Sequence, residues 1–182
     1  GGLPLVVHSV RALVASKAVA RLVVVLPADG FDAWRERLSP FFAACETDLS
    51  YCPGGGSRQE STIRGLEALD EDFRRDDGVL ADLIAVHDGA RPAPPPSLVA
   101  KLIEAADRCG AAIPGLPPPD TLWRLGSDGN AENLVDRERT VAVQTPQCFR
   151  RSLLKEALAR AAATGESGTD EASAVRALDH PV

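Results

Sequence analysis

Apolar residues at Val6, Val10, Leu13 and Val14 recur at helical spacing, and the run from Arg21 to Pro27 is β-branched and stopped by proline. The pattern predicts a helix followed by a buried strand. Phe31 to Cys45 suits a helix interrupted near Pro40, Leu49 to Cys52 a short strand, and Ser57 to Phe73 a strong helix. Ser57 and Glu60 form a capping box at the start of that helix, and Ile63, Leu66, Leu69 and Phe73 line one face of it. Leu83 to Asp88 reads as a strand. Pro96 to Arg108 reads as a helix opened by proline and closed by Gly110, and Ala111 to Leu116 as another strand. Alternation of this kind implies an α/β fold in three layers, with a mainly parallel sheet covered by helices on both faces.

The rhythm breaks between residues 117 and 139. There Thr121 to Leu125 and Asn133 to Arg137 flank Ser127-Asp128-Gly129-Asn130, a hairpin signal. An antiparallel β-arm is therefore expected to project from the parallel body. A strand at Thr140 to Val143, a helix from about Arg151 to Ala163 and a helix begun by Thr169 complete the pattern. No internal repeat interrupts it, and residues 1–182 are read as a single domain with the arm inside it.

Composition narrows the function. The chain has 182 residues, a net charge of -6 and interspersed acidic and basic positions, so no continuous positive surface for duplex nucleic acid is expected. An anionic ligand must be met by a local group of Arg, Lys or backbone N–H. Cysteines 45, 52, 109 and 148 form no C-x-x-C pair and have no histidines at zinc-ligand spacing, as suits reduced thiols in the cytoplasm. The apolar run at Leu22 to Leu26 is far too short to cross a bilayer.

In an open parallel sheet, ligands bind beyond the carboxyl ends of the strands. After the second predicted strand comes Gly54-Gly55-Gly56 and then the capped helix, a place where free N–H groups can meet a phosphate or the edge of a flat base. The same glycines also suit a plain strand-to-helix turn, and Arg58 and Ser61 suit either reading. After the third strand, Asp88 and Arg91 stand three residues apart. Asp88 can accept ligand hydroxyls or help hold Mg²⁺, and Arg91 can face a phosphate; equally, the two can pair and close the turn. His87 fits the alternating strand pattern as a packed histidine. Thr121, Arg137, Thr145 and Thr169 say little singly, and Thr169 before Asp170 and Glu171 suits a helix cap.

Taken in order, several segments resemble the 2-C-methyl-D-erythritol 4-phosphate cytidylyltransferases of the non-mevalonate isoprenoid pathway. They are Gly54 to Ser61, Val86-His87-Asp88-Gly89-Ala90-Arg91-Pro92, Asp120-Thr121, Val135 to Arg137, Gln144-Thr145-Pro146-Gln147 and Thr169-Asp170-Glu171-Ala172-Ser173. The resemblance implies a Rossmann-like fold of nucleotidyltransferase type. It also implies transfer of CMP from CTP to the sugar phosphate, with release of pyrophosphate and a divalent cation such as Mg²⁺ as cofactor. By the same resemblance, Gly54, Gly55, Gly56 and Ser61 hold the cytosine, and Asp88 and Gly89 lie near the nucleotide sugar and the reacting phosphates. Asp88, Arg91, Thr145 and Thr169 line the sugar phosphate site. Thr121 and Arg137 come from the arm of the other subunit, so a homodimer is implied.

The family's glycine-rich loop with its arginine and lysine is expected ahead of Gly1, and a further lysine beyond Val182, so no catalytic side chain is assigned within the chain. A ribitol 5-phosphate cytidylyltransferase and a non-catalytic nucleotide-binding module are the alternative readings. If Thr121 and Arg137 grip one phosphate together, they should be paired on one face of the hairpin. A three-residue loop centred on Gly129 would pair them, whereas a two-residue loop at Asp128-Gly129 would set Thr121 against Asp136. The odd-length loop is expected.

Overall fold

The computed structural model describes residues 2–75, 82–165 and 168–182. Helix α1 (Leu5–Ala15) leads to strand β1 (Arg21–Leu26), helix α2 (Phe31–Leu38) and strand β2 (Asp48–Pro53). Strands β1 and β2 pair in parallel, from Arg21 opposite Asp48 to Leu26 opposite Pro53. Side chains alternate along β1. Leu22, Val24 and Leu26 are buried in a core with Val7 and Val10 of α1 and Leu38 of α2. The opposite face meets helix α3 (Arg58–Arg75), where a Cβ on Gly65 would lie 3.0 Å from Val25 Cγ2. The absence of a side chain at Gly65 lets helix and strand pack this closely. The side chain of Phe73, expected on the inner face of α3, lies outside the described residues.

The second sheet holds strands β3 (Leu83–Val86) and β4 (Ala111–Ala112), joined through helix α4 (Pro96–Cys109). Gly110 ends α4 at φ 89°, in the left-handed region open to glycine, as the sequence suggested. Between β3 and β4 lies a strand the apolar pattern did not mark, β9 (Gln147–Arg150), antiparallel to both. It has four residues, begins with glutamine directly after Pro146 and runs straight into helix α5 (Arg151–Thr164), so neither period nor turn chemistry announces it. Its place at the sheet centre follows from packing. Phe149 is fully buried in a row with Ile84 and Ala111 against α3, α5 and helix α6 (Glu171–Arg176). Cys148, on the other face, is buried against Leu102 and Ala106 of α4. Helices thus cover both faces, as expected, but this sheet is built on an antiparallel strand.

The expected strand from Ala111 to Leu116 is split. Pro114 has no N–H to donate, so β4 ends before it and strand β5 (Gly115–Leu116) pairs instead with strand β8 (Ala142–Val143). The Pro114 carbonyl accepts from the Gln144 N–H at 2.8 Å.

Strands β6 (Leu122–Leu125) and β7 (Ala131–Val135) form the expected hairpin as a separate two-stranded sheet. Its register corrects the expected three-residue loop and its pairing of Thr121 with Arg137. The tip spans residues 126–130, with Leu125 opposite Ala131, and Glu132 then bulges so that Arg124 faces Asn133 and Leu122 faces Val135. The next step of the ladder would set Thr121 against Asp136. Gly129, at φ 81°, takes a turn position that strongly favours glycine, and Asp128 Oδ1 accepts from the Asn130 N–H at 3.0 Å. At the base, Asp136 caps a short 3₁₀ turn over Arg137–Arg139, so Arg137 lies outside the ladder and strand pairing does not govern its side chain. The register therefore counts against joint gripping by Thr121 and Arg137 as a pair within a regular hairpin.

Candidate active site

Beside β1 and β3 runs an apolar cavity of about 620 Å³, lined by Val10, Val23, Val25, Leu66, Ile84 and Val86. Among the described residues, β1 pairs with β2 alone and β3 with β9 alone. Arg58, Ser61, Asp88 and Gly89 also line the cavity, so candidates from two strand-to-helix turns meet at one place.

The glycine turn departs from expectation. The Gly54 N–H donates to the Leu26 carbonyl at 2.7 Å, the Gly55 N–H to Ser61 Oγ at 3.1 Å and the Gly56 N–H to Glu60 Oε2 at 2.6 Å. None of the three N–H groups is free: β1 supplies the acceptor for Gly54, and the first turn of α3 brings its own acceptors to Gly55 and Gly56. The capping box is half as drawn: Ser57 Oγ accepts from the Glu60 N–H at 3.1 Å, while the Glu60 side chain reaches Gly56. The glycines serve close approach, since a Cβ on Gly55 would fall 2.3 Å from Glu60 Cβ.

The turn after β3 is held from several sides. Asp88 Oδ2 accepts from Arg91 Nε at 3.0 Å, and Asp88 Oδ1 from Arg58 Nη2 at 3.2 Å. Arg91 also donates to the Gln144 side-chain carbonyl. Burial opposes ionisation of Asp88, but the hydrogen bonds and charges of Arg91 and Arg58 outweigh it and hold its carboxyl below the ordinary value. The buried Ser9 hydroxyl donates to the carbonyls of Gly89, at 2.8 Å, and Arg91, at 3.1 Å.

His87 is packed, as expected, and braces the same turn. Its Nε2 lies 3.0 Å from the Arg91 carbonyl, which can only accept, so Nε2 carries the hydrogen and Nδ1 accepts from Thr145 Oγ1 at 3.0 Å. Burial lowers the His87 pKa, outweighing the Arg91 carbonyl and the Asp88 charge. Thr145 Oγ1 in turn accepts from the Asp88 N–H at 3.1 Å. Thr145 is 8% exposed with its hydroxyl engaged on both sides, so in this structure it braces the Asp88 turn.

Helix α6 closes the site. Asp170, and not Thr169, is its cap, accepting from the Ser173 N–H at 2.9 Å and Ser173 Oγ at 2.6 Å. Gln147 Nε2 donates to Asp170 Oδ2 at 2.8 Å, and Gln147 Oε1 accepts from the Ala172 N–H at 3.2 Å. Glu171 accepts two hydrogen bonds from Arg58 Nη1, at 2.7 and 2.8 Å. Thr169 itself is exposed.

The arrangement sets two guanidiniums, Arg58 and Arg91, against the carboxylates of Asp88 and Glu171, with Asp170 also within the field of Arg58, so it carries no excess positive charge. It can orient a polyanion, but stabilising a more negative transition state requires cations from elsewhere.

The family model described as IspD, 2-C-methyl-D-erythritol 4-phosphate cytidylyltransferase, matches residues 1–182. The chain belongs to that family. It is 35% identical to the enzyme of that name from Acidobacterium capsulatum, over 96% of this chain and 70% of the relative. It is 40% identical to that from Streptomyces avermitilis, over 97% and 69%. The crystal structure of 2-C-methyl-D-erythritol 4-phosphate cytidylyltransferase from Thermus thermophilus superposes with a TM-score of 0.75 at 35% identity, over 100% of this chain and 77% of that one. A 4-diphosphocytidyl-2C-methyl-D-erythritol synthase structure from Anaerococcus prevotii, at 23% identity and a TM-score of 0.84, shares the fold.

Of the residues that the cytidylyltransferase resemblance marks, Gly54, Gly55, Gly56, Ser61, Asp88, Gly89, Arg91 and Thr145 fall on the two turns described above and their bracing. Thr121 and Arg137 are exposed at the base of the arm, and their side chains make no hydrogen bond or ion pair with the Asp88 group among the described residues. The sequence reading gave no role to Glu171, Gln144 or Gln147 and only a weak one to Arg58. These residues lay inside quoted motifs, yet a motif does not say which of its members meet.

Proposed function

We propose that this site joins CTP to 2-C-methyl-D-erythritol 4-phosphate, giving 4-diphosphocytidyl-2-C-methyl-D-erythritol and pyrophosphate. The observation that carries the reading is the meeting of Arg58 and Ser61, from the first turn of α3, with Asp88 and Gly89 at one cavity. Cytosine lies against Gly54, Gly55, Gly56 and Ser61, and the nucleotide sugar and phosphates lie toward Asp88 and Gly89. Arg91, Thr145 and Thr169 shape the sugar phosphate side. An oxygen of the substrate phosphate attacks the α-phosphorus of CTP, a new P–O bond forms and the bond to pyrophosphate breaks. No covalent enzyme intermediate is needed. The side chains bind and align the two anions, which brings the reacting atoms into line.

A Mg²⁺ ion held mainly by nucleotide phosphates needs one protein carboxylate, and ionised Asp88 fits that need with hard oxygen donors. Each Asp88 oxygen has a lone pair beyond the one given to arginine. Among the described residues no group of three His, Cys, Asp or Glu side chains forms an all-protein metal site. When bound, the ion neutralises phosphate charge.

The edges of β1 and β3 that carry no strand partner among the described residues support placing beside the apolar cavity the strand that the resemblance puts ahead of Gly1, with its basic loop at the cavity mouth. The arm supports a homodimer. Trp123, Leu125 and Leu134 are 54%, 63% and 62% exposed, and Trp123 pairs with Leu134 on one face of the hairpin. A two-stranded hairpin with a bare apolar face gains stability from a covering partner. A second copy would bring its Thr121 and Arg137 to this site. The four free cysteines suit the cytoplasm.

Pyrophosphate release from CTP with 2-C-methyl-D-erythritol 4-phosphate, compared with ribitol 5-phosphate, tests the function. Faster turnover of ribitol 5-phosphate overturns the substrate, and CTP binding without turnover of either overturns the enzymatic reading.

A further inference from the structure

Glu171 is 2% exposed and its side chain 1%, so a bound ligand cannot touch it without unfolding α6. A carboxylate so deeply placed is costly unless it is paired and hydrogen-bonded. It is both: Arg58 Nη1 spans the two oxygens, and Thr62 Oγ1 donates to Oε1 at 2.8 Å. The pairing joins residues 113 apart in the chain, at the first turn of α6 and the first turn of α3.

The other end of Arg58 faces function. Its side chain is 40% exposed, lines the cavity, and donates through Nη2 to Asp88 Oδ1. Burial disfavours the Arg58 charge, but Glu171 and Asp88 outweigh burial and raise its pKa further. A guanidinium is planar, so fixing one nitrogen against Glu171 fixes the direction of the other.

We infer that Glu171 is a positioning residue for the reaction: it locks the Arg58 guanidinium so that Arg58 and Arg91 hold the Asp88 carboxylate in one orientation for the reacting phosphates. The functional half of this inference rests on the function proposed above. Without the Glu171 charge, Arg58 keeps its hydrogen bond to Asp88 and the weaker pull of the Asp170 charge, and the guanidinium is free to turn and occupy the Asp88 oxygens that a ligand needs. The cytosine end, built by the glycine turn and Ser61, does not depend on the lock.

The test compares the wild-type chain with Glu171→Gln, Arg58→Gln and the double variant. The Arg58 Nη–H signals, assigned by their loss in Arg58→Lys, should be distinct in the wild-type NMR spectrum and collapse in Glu171→Gln. The KM for the sugar phosphate and the KM for CTP should both rise about tenfold in Glu171→Gln, because Asp88 faces the phosphates of both. The double variant should be no worse than Arg58→Gln alone, because the two residues act as one unit. Unchanged Arg58 signals in Glu171→Gln, an unchanged KM for either substrate, or additive losses in the double variant would each overturn the inference. A wild-type chain that neither turns over nor binds the two substrates overturns the proposed function instead, and the NMR comparison still decides whether Glu171 locks Arg58.

Discussion

Gln147 is 1% exposed, and its amide ties β9 to the cap of α6 by donating to Asp170 Oδ2 and accepting from the Ala172 N–H. The isosteric change Gln147→Glu keeps the acceptor for Ala172 but places a carboxylate oxygen where the donor was, 2.8 Å from Asp170 Oδ2. Two full charges at that separation would repel by about 6 kcal/mol at an effective dielectric constant near 20, more than the pair can sustain. The pair keeps a proton instead. Burial already opposes the Asp170 charge, which the bonds from Ser173 and Gln147 offset; the variant turns the second of these to repulsion.

Each unit by which the proton is held above the ordinary glutamate pKa of about 4.3 costs ~1.4 kcal/mol, so retention to near pH 7 costs about 3–4 kcal/mol. The group's folded pKa is raised above its unfolded value. The penalty is therefore absent below the unfolded pKa, grows as pH rises and is complete above the folded pKa. Urea unfolding of both proteins at pH 5 and pH 7.5 measures it. A gap of about 3–4 kcal/mol at pH 7.5 that shrinks to about 1 at pH 5 is expected. A gap of similar size at both pH values, or no gap, would refute the reasoning.

Gly55→Ala forces a Cβ against Glu60 Cβ, at 2.3 Å in the present backbone. The turn must open, at a cost of about 1–3 kcal/mol. Calorimetry should show at least about tenfold weaker CTP binding, a loss of about 1.4 kcal/mol. The His87 pKa is lowered from its ordinary 6.5 mainly by burial, so the unfolded chain takes up protons first and stability falls as pH drops below that value. Thermal unfolding between pH 7 and pH 5 should therefore decline less steeply in His87→Gln, which keeps a donor for the Arg91 carbonyl. Trp123→Ser strips the exposed arm of its largest apolar side chain and should shift sedimentation from dimer toward monomer, with secondary structure unchanged.

The sequence alone determined whatever depends on near neighbours. Helical spacing marked α1, α3 and α4, the Ser57–Glu60 cap placed the start of α3, and Gly110 marked the end of α4, because propensity and capping act within a few residues. The strand-end motifs also marked Asp88 and Arg91 as candidates for a ligand site, and they left open whether the two pair with each other. Tertiary structure decided that they pair, since Arg58 and Gln144 fix the partners on either side. It also decided that β9 crosses antiparallel between β3 and β4, where the burial of Phe149 outweighs four residues of weak propensity.

The glycine N–H groups looked free because their acceptors, the Leu26 carbonyl for Gly54 and Ser61 and Glu60 for Gly55 and Gly56, reach them only once β1 and α3 have packed around the turn. The Thr145 hydroxyl looked available because its partners, His87 and the Asp88 N–H, are 57 or 58 residues away. Glu171 was an ordinary acidic residue in a helix start until the fold set it against an arginine from a distant helix. Charge pairing and burial over such separations are properties of the packed chain, and no local pattern encodes them.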